Sequence, residues 1–283
     1  MAYRLLPRLL LLLVLASSLA AFADERGEGP LVPDQPKGIS VDELVQKFAA
    51  KEKEFKEARE HYTWRQSVKV ETLDGKVVDG EYQSVVDILF DDRGRRIEQV
   101  VYAPQSTLQR IDMTREDFED IEKRLPFVLT SDEISQYEIK YLGQQKEDEL
   151  NTYVFDVRPK QIERNHRYFE GRIWVDDHDF QIVRAYGKNV PDIIKKGGAG
   201  ENLFPKFDTW RQQVDGRYWF PTYTRVDDTL HFSTGDVHVR QIVKYTNYKR
   251  FGAQTRITYG GKELPQDEKA PDTKDKPQEQ PKP

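Results

Sequence analysis

The sequence predicts a mainly β, α+β protein built on an antiparallel sheet, and three observations predict it. Residues 168–186 read as two strands, Gly171 to Val175 and Phe180 to Tyr186, rich in β-branched and aromatic residues and separated by the turn material Asp176-Asp177-His178-Asp179. A second hairpin follows, in which Phe207 to Val214 and Arg217 to Val226 flank Asp215-Gly216, a dipeptide that reaches positive φ at little cost. From Tyr62 onward, apolar and polar residues alternate with period two between short turn signals, the pattern of a meander with one wet face.

Taken in order, residues 1–23 have the form of a cleaved secretory signal. Arg4 and Arg8 precede the apolar run Leu9 to Leu15, and Ala21 and Ala23 supply the small residues a signal peptidase reads. The run is short against the ~20 residues a bilayer span needs. Residues 24–38 are expected to form a flexible leader, residues 39–260 one β domain, and residues 261–283 a disordered, charged, proline-rich tail. That tail holds five Lys, six Asp or Glu and five Pro from Lys262 onward, too little apolar area to offset chain entropy.

Within the domain, Ser40 caps a helix with Glu43 three residues on, and Val41, Leu44, Val45, Phe48, Phe55 and Ala58 recur at helical spacing to about Glu60. Period two then carries Trp64, Val68 and Val70, turns at Asp74-Gly75, and continues through Tyr82, Val86, Ile88 and Phe90. Arg96 to Tyr102 and Leu108 to Met113 are expected as two further strands. Thr114 caps a short helical insert with Asp117 three residues on, whose apolar stripe is Phe118, Ile121 and Leu125. Strands resume at Tyr137 to Gln145 and Thr152 to Arg158, and a long loop from Asn189 to Lys206 separates the two hairpins. The last strand runs from Asp236 to Lys249. The sheet is expected to have about eleven strands.

Composition excludes several kinds of chemistry. The chain has no cysteine, which removes disulfides, thiolate metal sites, a cysteine nucleophile and a lipid-bearing N-terminal cysteine together. The net charge is −5, about −7 once the two arginines of residues 1–23 are set aside, and basic residues are interleaved with acids, so nucleic acid is not expected as a partner. None of the histidines at 61, 166, 178, 231 and 238 pair at the spacing of a helical metal site. Asp176 to Asp179 lacks the glycine and distal glutamate of a calcium loop and reads as a turn. His231 and His238 flank Gly235 across a hairpin. Gly197 to Gly200 is followed by no Gly-Lys-Ser/Thr, and no Gly-x-Ser-x-Gly elbow occurs. No catalytic residue, metal or cofactor is expected.

The hairpin residues also carry a resemblance. A Gly-x-Ile-Trp-Val-Asp strand (Gly171, Ile173, Trp174, Val175, Asp176), a turn, the strand Ile182-Val183-Arg184, and then Asp215-Gly216 with Trp219-Phe220-Pro221 resemble the periplasmic lipoprotein-carrier, or LolA/LolB-like, superfamily over roughly residues 135–250. The resemblance implies a strongly curved, incompletely closed antiparallel β-barrel whose concave apolar face is covered by helices and takes up acyl chains. On that basis Trp64, Val68, Val86, Ile88, Phe90, Phe118, Ile121, Leu125, Ile173 and Val175 are the expected ligand-binding residues, and the insert Thr114 to Leu125, with its narrow stripe, is expected to be a movable cover. The expected partners are lipid or lipoprotein acyl chains, with transient membrane contact, no nucleic acid, a monomeric state and an exported, periplasmic location. The alternative is an envelope scaffold with a filled barrel that binds other envelope proteins, and a third reading, less favoured, is a hydrolase or metal enzyme, for which the sequence gives no positive sign. Trp174 and Trp219 are both expected in the central sheet.

Exported protein should lack residues 1–23. An intact mass that begins at Asp24 is the expected result, and a mass that retains the first 23 residues would remove the argument for export.

Overall fold

The computed structural model describes residues 29–91, 94–126, 128–163, 166–194 and 201–251. The expected signal segment and acidic tail lie outside these residues. The β domain described by the structure ends at Arg250.

Helix α1 spans Val41–Arg59, and its first turn is closed where the Ser40 hydroxyl accepts from the Glu43 N–H at 3.2 Å. Asp42 and Glu43 sit at its N-terminus and Lys56 and Arg59 in its last turn, each favourably placed in the helix dipole. Leu44, Phe48, Glu52 and Phe55 form its buried stripe.

The strands are β1 (Tyr62–Asp74), β2 (Val77–Phe90), β3 (Arg96–Tyr102), β4 (Tyr137–Glu147), β5 (Leu150–Pro159), β6 (Tyr168–Asp176), β7 (Ile182–Val190), the short β8 (Ile193–Ile194) and β9 (Glu201–Asn202), β10 (Phe207–Val214), β11 (Tyr218–Phe232) and β12 (Gly235–Arg250). Ten of them form one antiparallel sheet in the order β3-β2-β1-β12-β11-β10-β7-β6-β5-β4, and β8 pairs with β9 apart from it. The first and last strands of the domain, β1 and β12, pair in its interior from Tyr62↔Arg250 to Leu73↔His238. The sheet is strongly curved and not closed, with β3 and β4 left as its two edges. Asp215 and Gly216 both have positive φ, 55° and 64°, as the hairpin reading requires.

Strands β6 and β7 approach closely at a pair of glycines. Gly171 lies opposite Gly187, and a Cβ on Gly171 would stand 2.2 Å from the Tyr186 carbonyl oxygen. Both glycines therefore permit a backbone approach that a side chain would block, and the Phe169 ring covers them.

The concave face carries the main core. Trp64, Val68, Val86, Ile88, Phe155, Ile173, Val175, Val239 and Val243 of the sheet pack with Leu44 and Phe48 of α1 and with Ile121, Leu125 and Leu129. On the opposite face, Trp174 is fully buried with Val154 and Val183 under Leu31, Leu142, Leu150, Tyr186 and Trp219. Its indole N–H donates to Gln145 Oε1 at 2.7 Å, and the Arg184 guanidinium lies over its ring.

Two local expectations differ from the structure. Leu108 to Met113 is not a strand. The chain beyond β3 is tied to β2 through Thr107, whose N–H donates to the Glu81 carbonyl at 2.8 Å, and it then turns so that Ile111 and Met113 pack on the main core. Residues 29–34, within the expected leader, lie along β4. Val32 and Gln144 exchange backbone hydrogen bonds of 2.8 Å, and the Gly29 and Asp34 carbonyls accept from Gln145 and Tyr141. Backbone pairing of this kind leaves no periodicity for a sequence reading to find.

The two tryptophans expected in the sheet should behave unequally. Trp174→Ala should cost ~3 to 5 kcal/mol of unfolding free energy in a denaturant titration, as large-to-small core changes do, and half-buried Trp219→Ala should cost clearly less. Equal costs would contradict the burial of the two rings.

Candidate functional site

The helices over the concave face are held by buried polar anchors. Arg211 of β10 donates to both oxygens of Glu52 at 2.8 and 3.0 Å, and the two side chains are 2% and 0% exposed. Burial pushes the Glu52 carboxyl above its ordinary range, and the Arg211 charge opposes that rise. This pair fixes α1 in the sheet.

The insert begins with α2 (Arg115–Glu119), where Thr114 and Asp117 form a reciprocal capping box, and continues as a π-helical turn from Asp120 to Arg124. Asp120 is 6% exposed and accepts from Arg124 Nη1 at 2.9 Å, Arg167 Nη2 at 2.5 Å and Asn189 Nδ2 at 2.9 Å. Desolvation pushes its carboxyl up, and the charges of Arg167 and Arg124 oppose it. Farther on, the Leu125 carbonyl accepts from the Thr209 hydroxyl at 2.8 Å, and the Ser131 N–H donates to the Ala49 carbonyl at 3.1 Å. A narrow apolar stripe suggests a loose cover. The structure instead pins the insert with buried hydrogen bonds that hydrophobic periodicity does not register.

The residues expected to bind ligand divide in three. Val68, Val86, Ile88, Ile121, Leu125, Ile173 and Val175 are buried in the main core and touch helix or sheet. Phe118 is 42% exposed and packs on Tyr82, which itself lies against that core, with ring centroids 5.7 Å apart. Trp64 and Phe90 belong to the core margin and also line a cleft of about 500 Å³.

This cleft occupies the gap in the sheet. It is lined by Arg59 at the end of α1, Trp64, Phe90 and Arg96 at the ends of β1, β2 and β3, the π-helical turn, and Tyr137, Arg167 and Phe169 near the starts of β4 and β6. Strands β3 and β4 are the two edges of the sheet, so side chains from both edges meet across it. Its apolar surface is Trp64, Phe90, Val128 and Phe169, and its rim is charged. The sequence reading found the aromatic half of this set by strand alternation. It missed Arg59, Arg96 and Arg167, which come from three distant segments and carry no local pattern.

The other candidate groups are tied up locally. Asp176 accepts from the backbone N–H groups of His178 and Asp179, and Asp179 accepts from the Trp219 indole at 3.0 Å, so Asp176 to Asp179 is a braced turn. His231 and His238 do not meet: His231 pairs with Asp236 and His238 with Asp227, at 2.9 and 2.7 Å.

No family model matches the chain, and no curated protein matches it. Among solved structures, a DUF1329 family protein from Desulfovibrio piger is 13% identical, with 72% of this chain and 90% of that one covered at a TM-score of 0.36. A LolA superfamily protein from Nitrosomonas europaea is 14% identical, with 72% and 94% covered at 0.32. A putative outer membrane lipoprotein-sorting protein domain from Vibrio parahaemolyticus is 12% identical, with 76% and 95% covered at 0.35.

Glu52→Gln should destabilise the protein by ~3 to 5 kcal/mol, because it leaves the Arg211 guanidinium buried without its counter-charge. Replacing both partners, Glu52→Met with Arg211→Leu, should recover most of that loss in urea denaturation. A double variant no more stable than the single one would show that the pair does more than satisfy its own charges.

Proposed function

We propose that this chain is an exported envelope protein that binds an amphiphile, with the acyl chain in the cleft between the sheet edges, and that it acts as a carrier or sorting protein without catalysis. The observation that supports this reading is the cleft itself. About 500 Å³ lies within the usual range of ligand pockets, ~300 to 1,000 Å³. Trp64 and Phe169 join its wall to the main core, so an apolar chain laid there would meet apolar surface on one side and charged rim on the other. Each methylene removed from water contributes ~0.8 kcal/mol, so a modest length of chain gives useful affinity with no polar contact.

A second reading has its own support. Edge strand β3 has Val100, Val101 and Tyr102 exposed at 63%, 48% and 52%, an apolar strand edge of the kind that accepts an added strand from a protein partner. An envelope scaffold would use that edge and leave the cleft without a ligand.

Native mass spectrometry of the protein taken from a bacterial envelope should show a co-purifying lipid. A fluorescent fatty acid should bind saturably to the delipidated protein, and Phe90→Glu should abolish that binding. A lipid-free mass together with no saturable binding would overturn the amphiphile reading in favour of the scaffold.

A further inference from the structure

We propose that the cleft selects an anionic head group, a carboxylate or a phosphate, and that Arg59, Arg96 and Arg167 with the Trp64 indole hold it. The proposal rests on the amphiphile reading and adds the chemistry of the head. Five buried N–H groups on these four cleft-lining residues have no hydrogen-bond acceptor among the described residues: Arg59 Nε, Trp64 Nε1, Arg96 Nη2, and Nε and Nη1 of Arg167. Trp64 is 5% exposed and the Arg167 side chain 8%, so solvent reaches neither freely. A buried donor without an acceptor costs ~1 to 3 kcal/mol, more when charged, and five around one cleft form a set to which an acceptor would restore what folding removed.

Charge distinguishes an anion from a neutral acceptor. The cleft is lined by six Lys or Arg side chains and three glutamates. Asp120 takes only Nη2 of Arg167, and Glu98 and Glu122 take only Nη1 of Arg96. Arg59 has no carboxylate of the described residues within ion-pair distance, and its guanidinium lies over the Trp64 ring at 4.9 Å. Burial holds the Arg59 and Arg167 guanidinium groups below their ordinary range, a penalty that an anion in the cleft would offset. The three glutamates on the rim favour a cationic head and oppose an anionic one, but the six cations outnumber them two to one. Planar guanidinium groups match the paired oxygens of a carboxylate or phosphate.

The test is equilibrium binding of dodecanoate, dodecyl phosphate and dodecanol to the delipidated full chain, with inorganic phosphate as a chain-free control. Both anionic amphiphiles should bind at least tenfold more tightly than dodecanol, by an amount that falls as salt rises. Whichever of the two binds more tightly identifies the source of the head. Arg59→Gln and, separately, Arg96→Gln should each weaken anionic binding about tenfold and dodecanol binding far less, with thermal melts confirming that each variant is folded. Arg96 lies on the edge strand β3 with its side chain 22% exposed, so its variant keeps the test open if Arg59→Gln fails to fold. Equal affinity for all three amphiphiles, or anionic binding indifferent to both substitutions, would overturn the head-group assignment while leaving the amphiphile reading intact. No binding of any of the three would overturn both.

Discussion

Glu52 and Arg211 meet where helix α1 crosses the concave face of the sheet, and most of the candidate site follows from how they meet. Both side chains are out of water, so each charge depends on the other and on the bidentate geometry between them. Replacing such a pair with apolar residues often costs nothing, so its contribution here is better sought in register than in stability. Phe55 and Arg59 follow Glu52 at spacings of three and seven along the same side of the helix, so fixing Glu52 fixes what α1 presents at its end. Phe55 packs edge-on against Phe220 at 5.2 Å, and Arg59 reaches the cleft. A helix free to slide by one turn would deliver neither.

The cleft also depends on the sheet failing to close. A sheet of ten twisted strands bends back on itself, and Gly171 and Gly187 let β6 and β7 approach where a side chain would clash with backbone. The two edges then face one another without pairing, and the π-helical turn lies in the space between them. Asp120 meets Arg167 and Asn189 from the other side of the seam, so the insert bridges the opening and narrows it to a cleft.

How far the sequence carried this structure follows the same division. The hairpins, the α1 stripe, the Thr114 cap and the alternation of β12 rest on periodicity and turn chemistry, which are local, and they appear where those signals lie. The aromatic side of the cleft was legible for that reason through Trp64 and Phe90. Leu108 to Met113 misled because a β-rich composition does not supply a neighbouring strand, and Val32 was missed because a backbone bridge has no side-chain signature. The arginines of the cleft were missed because in a chain with basic and acidic residues interleaved, only the fold reveals which cations have lost their acids.

The sequence also left open whether the space under the helices is hollow, and the packing bears on where a ligand would enter. Leu44, Phe48, Ile121, Leu125 and Leu129 fill the concave face against Val68, Val86 and Ile88. Entry there would require lifting the insert, which means breaking the hydrogen bonds from Arg167 and Asn189 to Asp120 and the bonds from Thr209 and Ser131, and re-exposing Ile121 and Leu125 to water. The cleft requires none of this, since it opens to solvent at its charged rim and reaches the core only through Trp64 and Phe169. Binding at the seam is therefore the arrangement of lower cost, with the helices acting as a fixed wall of the site.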